Sequence, residues 1–197
     1  MQLNNYRIIF ITIGLIGVLL FASPTINSLV KPPASQEFSE LYILGPNHTF
    51  TNIPFNIKAN VHYSVYLGVI NHLESSCYYT FFVKLANDTQ SLPDATLGIP
   101  SSLPALYEYK SFISDGATWE VPLTFQVNQL TFHDNTSQLV GIVINGIEFP
   151  VKQTSVWNAD KTGYYYNLFV ELWIFNSKSG TSQYHNRFVS LLLNVTQ

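Results

Sequence analysis

The stretch Val140-Gly-Ile-Val-Ile-Asn-Gly-Ile-Glu-Phe-Pro-Val151 carries the plainest structural instruction in the chain. Apolar side chains fall at every second position: Val140, Ile142 and Ile144 before Asn145-Gly146, then Ile147, Phe149 and Val151 after it. A period of two sets alternate side chains on one face of a strand. Asn-Gly readily takes the positive φ angles of a type I′ turn, so the stretch predicts a tight β-hairpin.

The same alternation recurs on both sides of the hairpin. Val61, Tyr63, Val65, Leu67 and Val69 form one run, Cys77, Tyr79, Phe81, Val83 and Leu85 a second, and Val121, Leu123, Phe125 and Val127 a third. Tyr164 to Ile174 and Phe188 to Val195 read as two further strands around the turn-rich segment Asn176-Ser-Lys-Ser-Gly180. No amphipathic helical period interrupts the series. Six or seven strands with turn signals between them predict an all-β domain, an immunoglobulin-like β-sandwich without the Cys-Trp-Cys hallmark, with a barrel as the alternative. Asp88 to Tyr109, with Pro93, Pro100 and Pro104, is too long for a hairpin connection and reads as a surface excursion able to carry contacts.

Ahead of these strands, residues Ile8 to Ala22 read IIFITIGLIGVLLFA without a charge, and Tyr6 and Arg7 extend the helical stretch. Seventeen residues at about 1.5 Å each span roughly 25 Å, between a signal-peptide core and a short transmembrane anchor. No small-x-small cleavage site stands out after Leu20. Arg7 is the only charge before the segment, which places the N-terminus in the cytoplasm and the bulk of the chain outside. The expected organisation is therefore an N-terminal membrane anchor or signal peptide over residues 1–23, a proline-bearing spacer over 24–39, and an extracellular β-sandwich over 40–197. The expected location is the cell membrane, single-pass, with the C-terminal domain outside.

Charged residues make up 11% of the chain and the net charge is −3. An average soluble domain carries about 25%, and phosphate recognition needs clustered Lys and Arg, so nucleic acid is not an expected partner. Cys77 has no second cysteine with which to form an internal disulfide. It reads as a small buried hydrophobe, and stability has to come from burial.

LYILGP at Leu41–Pro46, VYLGVINHLESSCYYTFFVKL at Val65–Leu85 and WEVPLTF at Trp119–Phe125 resemble an archaeal family, domain of unknown function 1616. In that family an opening ending in Leu-Gly-Pro precedes a strand, an Asn-His-Glu-like turn and a Tyr-rich strand; Asn71, His72 and Glu74 stand at that turn here, with Leu73 intervening. The resemblance implies an outward-facing β domain at an archaeal cell surface after membrane helices, and it supplies no catalytic residue.

The residues point to no chemistry either. Histidines at 48, 62, 72, 133 and 185 invite a metal, but their spacing matches no ligand set, and a blue-copper site would need a methionine other than Met1. No nucleophile elbow, His-Glu-x-x-His helix or phosphate-binding loop occurs. The expectation is no catalytic residue, no metal and no cofactor. Four Asn-x-Ser/Thr sequons make Asn47, Asn87, Asn135 and Asn194 glycosylation candidates. Tyr78-Tyr79 and Tyr164-Tyr165-Tyr166 place rings on both faces of predicted strands, so some must meet water or a partner. The expected function is a non-catalytic binding module or accessory subunit of a membrane or surface-layer assembly, with the lipid membrane and a protein as partners. The alternative is an extracellular ligand-binding or enzymatic domain with an unrecognised pocket.

Overall fold

A computed structural model describes residues 6–7, 10–18 and 37–195. The chain divides into two units, Met1–Glu37 and Phe38–Gln197. In the first, residues 10–18 are helical. Residues 1–5, 8–9 and 19–23 of the expected anchor, and 24–36 of the expected spacer, lie outside the described residues. Among those described, no helix is long and apolar enough to cross a membrane.

The second unit is all-β. Its strands are β1 (Phe38–Leu44), β2 (Asn56–Ile57), β3 (Tyr63–His72), β4 (Cys77–Asn87), β5 (Tyr107–Ile113), β6 (Thr118–His133), β7 (Thr136–Ile144), β8 (Ile147–Val156), β9 (Tyr164–Asn176) and β10 (Thr181–Val195). They form two five-stranded sheets, ordered β1-β3-β6-β7-β8 and β2-β10-β9-β4-β5. Every pairing is antiparallel except the short β2–β10 contact. The core lies between the sheets: Val65, Leu67, Val69, Leu123, Phe125, Ile142 and Ile144 of the first meet Tyr79, Phe81, Val83, Tyr166, Leu168, Val170 and Leu172 of the second.

The predicted hairpin is present. Ile144 pairs with Ile147 across Asn145 and Gly146, whose φ angles of 49° and 80° are the pair a type I′ turn demands. The alternation nevertheless breaks at Val140. Register shifts between Leu139 and Gly141 against β8, and between Val127 and Leu130 on β6, rotate the strands. Leu139 and Ser137 therefore enter the core in place of Val140. Val61 also falls outside its expected run, since β3 begins at Tyr63 and Val61 is exposed. Cys77 is half-buried at the start of β4. Strands β1, β2 and β5 were not expected from the alternation.

Contacts along β4 show how the sheets face each other. Tyr79 bonds Ser39 on β1, Phe81 stacks on Trp119 of β6, and Asn87 donates to the Thr154 carbonyl on β8. Eight residues of strand, about 26 Å, thus cross a sheet whose edge strands stand four spacings, about 19 Å, apart. The strands cross more steeply than the roughly 30° of an aligned sandwich. With its side chain at 0% exposure, Leu67 fills the middle of this layer. Leu67→Ala is expected to cost about 2–5 kcal/mol in urea unfolding, with an unchanged denaturant slope.

Candidate functional site

Strand β1, an edge of the first sheet, and β10 of the second, whose outer side is paired only by the two-residue β2 at its end, come together at one side of the domain. A register shift between Tyr184 and Arg187 leaves His185 and Asn186 unpaired with β9, and Asn186 adopts a φ of 52°. Such a bulge re-aims a side chain. The His185 ring is thereby brought to Ser39 of β1, Nε2 to Oγ, at 3.0 Å. Ser39 Oγ lies 2.7 Å from the Tyr79 hydroxyl of β4, which donates to Asn71 Oδ1 of β3 at 3.0 Å. Asn71 Nδ2 closes the chain on the carbonyls of Ser75 and Ile113.

The direction of these bonds follows from counting protons. Tyr79 spends its proton on Asn71, so it accepts from Ser39; Ser39 has then spent its own and accepts from His185 Nε2–H. Burial pushes the Tyr79 hydroxyl up to about 12. Burial, and then the Arg187 charge, hold His185 below the usual imidazole range. Although Ser39 and His185 stand at the distance of a nucleophile and its base, the serine proton points away from the imidazole. Ser39 is also 1% exposed. The pair ties strands together and is not poised for attack.

Beside this network run two continuous grooves of about 600 and 540 Å³ that share Leu41, Tyr42 and Phe50. Arg187 lines the first, and Val189 and Leu191 line the second. On the rim His48 pairs with Glu120 and stacks on Tyr66, and His72 pairs with Glu40 at 3.4 Å under the Phe38 ring. His48, His72 and His185 thus gather near the seam, each with its own partner, whereas His62 and His133 do not join them. Among the described residues no three His, Cys, Asp or Glu converge as metal ligands.

The outer face of the second sheet is covered over most of its length. Residues 88–106 fold across it. Ser101 donates its amide to Glu171 Oε1 at 2.7 Å, and its carbonyl accepts from Lys84 Nζ at 2.8 Å. Lys84 and Glu171 pair at 2.9 Å with almost no exposure, and Trp173 Nε1 donates to the second carboxylate oxygen. Near the other end of β9, Tyr164, Tyr165 and Tyr166 are all buried, so of the two tyrosine runs expected to leave some rings to water or a partner only Tyr78 does so. Tyr165 lies beneath Lys161 and beside Phe55, and its hydroxyl donates to the Lys161 carbonyl. What stays open is the opposite end. Phe112 pairs with Tyr78 across β5 and β4, and Phe175 follows the Tyr79–Ile174 pair on β9. These three rings form a row across three strands, Phe112 at 68%, Tyr78 at 39% and Phe175 at 45% exposure.

The four sequon asparagines are placed very differently. Asn47 and Asn135 are exposed in loops. Asn87 is half-buried; its amide donates to the Thr154 carbonyl and its Oδ1 accepts from Thr89 and Gln90. Asn194 is 7% exposed inside β10, bonded to Asn56 Oδ1, with Gly163 packed so closely that a β-carbon there would collide with its amide.

Residues 32–139, more than half of the chain, match the profile of DUF1616, a domain of unknown function. The chain belongs to the DUF1616 family. The matched span carries β1 through β6 and the start of β7, and β8, β9 and β10 lie beyond it. No curated protein matches at the sequence level. Among solved structures, the complex of human zinc α2-glycoprotein with prolactin-inducible protein from seminal plasma contains a chain similar over 84% of this one and 100% of its own, at 7% identity and a TM-score of 0.40. A β-glucosidase from Listeria innocua bound to laminaribiose is similar over 84% of this chain, at 10% identity and a TM-score of 0.40, and this chain spans only 17% of its length.

Two measurements test the buried polar groups of this DUF1616 domain. Glu171→Gln leaves Lys84 buried without a counter-charge and is expected to cost about 3–5 kcal/mol, whereas the double change Lys84→Met with Glu171→Leu should recover most of that loss in chemical unfolding. For His185, a folded-state pKa depressed below the unfolded value means that the unfolded chain binds more protons. Its contribution is present above the unfolded pKa of about 6.5 and lost as pH falls towards the folded value. Stability measured between pH 7 and 5 should fall less steeply in His185→Gln than in the wild type.

Proposed function

We propose that this chain is a non-catalytic, membrane-anchored module of an archaeal cell surface, which holds its β domain outside and docks a protein partner as an accessory subunit. The row formed by Phe112, Tyr78 and Phe175 carries the reading. Large aromatic side chains left open together, on a chain whose other strand aromatics, Phe38 apart, are at least partly buried, are the composition of an interface core. The apolar segment Ile8–Ala22, with Arg7 before it, supports an anchor in the inside-to-outside orientation. The exposed loops at Asn47 and Asn135 support glycans at those two sequons, and the buried amide of Asn194 argues against one there. Two facing antiparallel sheets support an immunoglobulin-like assignment in the broad sense, although their steep crossing departs from it.

The alternative is an extracellular ligand-binding or enzymatic domain, and the apolar grooves beside β1 favour it. The burial of Ser39, and its proton donated to Tyr79 instead of His185, weigh against an enzyme there.

The test is purification of the full chain from its native membrane in mild detergent, compared with Phe112→Ala combined with Phe175→Ala. Both positions are exposed, so the variant should fold with little loss of stability. A defined companion subunit retained by the wild type and lost by the variant is the expected result. An unchanged set of companions, or the absence of any, overturns the assignment of this face. Protease added to intact cells should remove the β domain, and sparing of the domain until lysis overturns the orientation.

A further inference from the structure

The four long edge strands of the two sheets are not equally defended. Exposed edges invite pairing with another chain and are normally blunted by proline, lysine, bulges or other charges. Strand β8 carries Pro150, Lys152 and a register shift. Strand β10 carries the bulge at His185 and Asn186, with Arg187 beside it. Strand β5 sets Glu108 and Lys110 on its open face. Strand β1, Phe-Ser-Glu-Leu-Tyr-Ile-Leu, has no proline, lysine or bulge, and its one charge, Glu40, is turned to His72. It pairs with β3 alone, and its other edge is ringed by exposed Phe38, Phe50, Phe55 and Leu192.

We propose that β1 pairs antiparallel with β1 of a second copy of this chain, in a register centred on Leu41, joining the two first sheets into one. The occupant follows from self-complementarity, since one register pairs the whole strand with its own copy and sets no like charges directly opposite. A two-fold axis perpendicular to the sheet keeps inward side chains beside inward ones, so the register must centre on a residue. Centring on Glu40 sets two carboxylates directly opposite, which is unfavourable. Centring on Tyr42 sets Phe38 against Pro46, beyond the strand. Centring on Leu41 pairs all seven residues: Phe38 with Leu44, Ser39 with Ile43, Glu40 with Tyr42, and Leu41 with itself. Each carboxylate then faces a phenol, and the apolar ends meet apolar ends. This dimer uses the edge of the first sheet and does not depend on the aromatic row of the second.

The experiment measures the mass of the full chain in mild detergent by sedimentation across a dilution series, with hydrogen exchange of the β1 amides. The wild type should be a dimer, with all β1 amides slowed and half of them released on dilution. Tyr42→Glu places a new carboxylate directly opposite Glu40 of the other copy, twice per dimer, and should weaken dimerisation about tenfold or more. Adding Glu40→Lys to it should restore the dimer, and Tyr42→Gln should retain it. A monomer at every concentration, a dimer indifferent to Tyr42→Glu, or a monomeric Tyr42→Glu that Glu40→Lys does not rescue would each overturn the proposal. The exchange pattern of the wild type decides the matter even if the variants fail to fold.

Discussion

A phenol cannot enter an apolar layer unless its hydroxyl finds a partner there, and in this domain that requirement ties the two sheets together. Tyr79 of the second sheet reaches Ser39 and Asn71 of the first. Tyr166 donates to the Ser137 carbonyl, and Tyr109 to the Pro122 carbonyl while accepting from Asn145. Each hydroxyl is pushed upward by burial, Tyr79 and Tyr109 to about 12, so all three stay neutral donors at any physiological pH. With a single cysteine there is no disulfide to hold the layers in register. Three tyrosines placed at separate points of the interface do that work through direction as well as area, since a phenol satisfied by one acceptor fixes where its strand can lie.

The same rule accounts for the outer face of the second sheet. Glu171 is central on β9 and faces away from the core, a position that should be wet in a two-layer protein. The 88–106 excursion covers it instead, and the carboxylate survives because Lys84, Trp173 and the Ser101 amide occupy its acceptor sites. The excursion is held there by these bonds, and again where Leu106 donates its amide to the Val83 carbonyl.

How much of this was legible in the sequence depends on which signal each element leaves. The hairpin at Asn145-Gly146 was readable because turn chemistry and alternation agree there. Strands β3, β4 and β6 were readable because apolar residues alternate over seven or more positions, and β9 and β10 because apolar and aromatic residues run on either side of a turn-rich segment. Strand β1 was not, since its alternation of Ser39, Leu41 and Ile43 includes a polar residue that is buried only because Tyr79 bonds it. Strand β5 was hidden for a similar reason: only Ile113 of its seven residues is buried. Bulges defeat a fixed period altogether, which is why Val140 was assigned to a core that Leu139 fills. His185 could not be found at all, because nothing local marks a histidine that a bulge will turn inward. The tyrosine triplet failed on coverage: alternation separates two faces but cannot say that Lys161 and Phe55 will close over the second.

Charge is scarce in this chain, and the fold makes it scarcer at the surface. Of the few carboxylates, Glu171 is buried with Lys84, Glu120 is taken up by His48 and Tyr42, and Glu40 is turned to His72. A surface so depleted has little long-range field with which to steer an approaching molecule, and encounter rates rest on diffusion and orientation rather than attraction. Discrimination must then come at contact distance, from the shape of apolar patches and from backbone groups left without partners. The β1 edge and the Phe112–Tyr78–Phe175 row both offer such groups, and they stand on different sheets. Contacts made at the Phe112–Tyr78–Phe175 row should be insensitive to ionic strength, because removing salt from a neutral interface leaves nothing to unscreen.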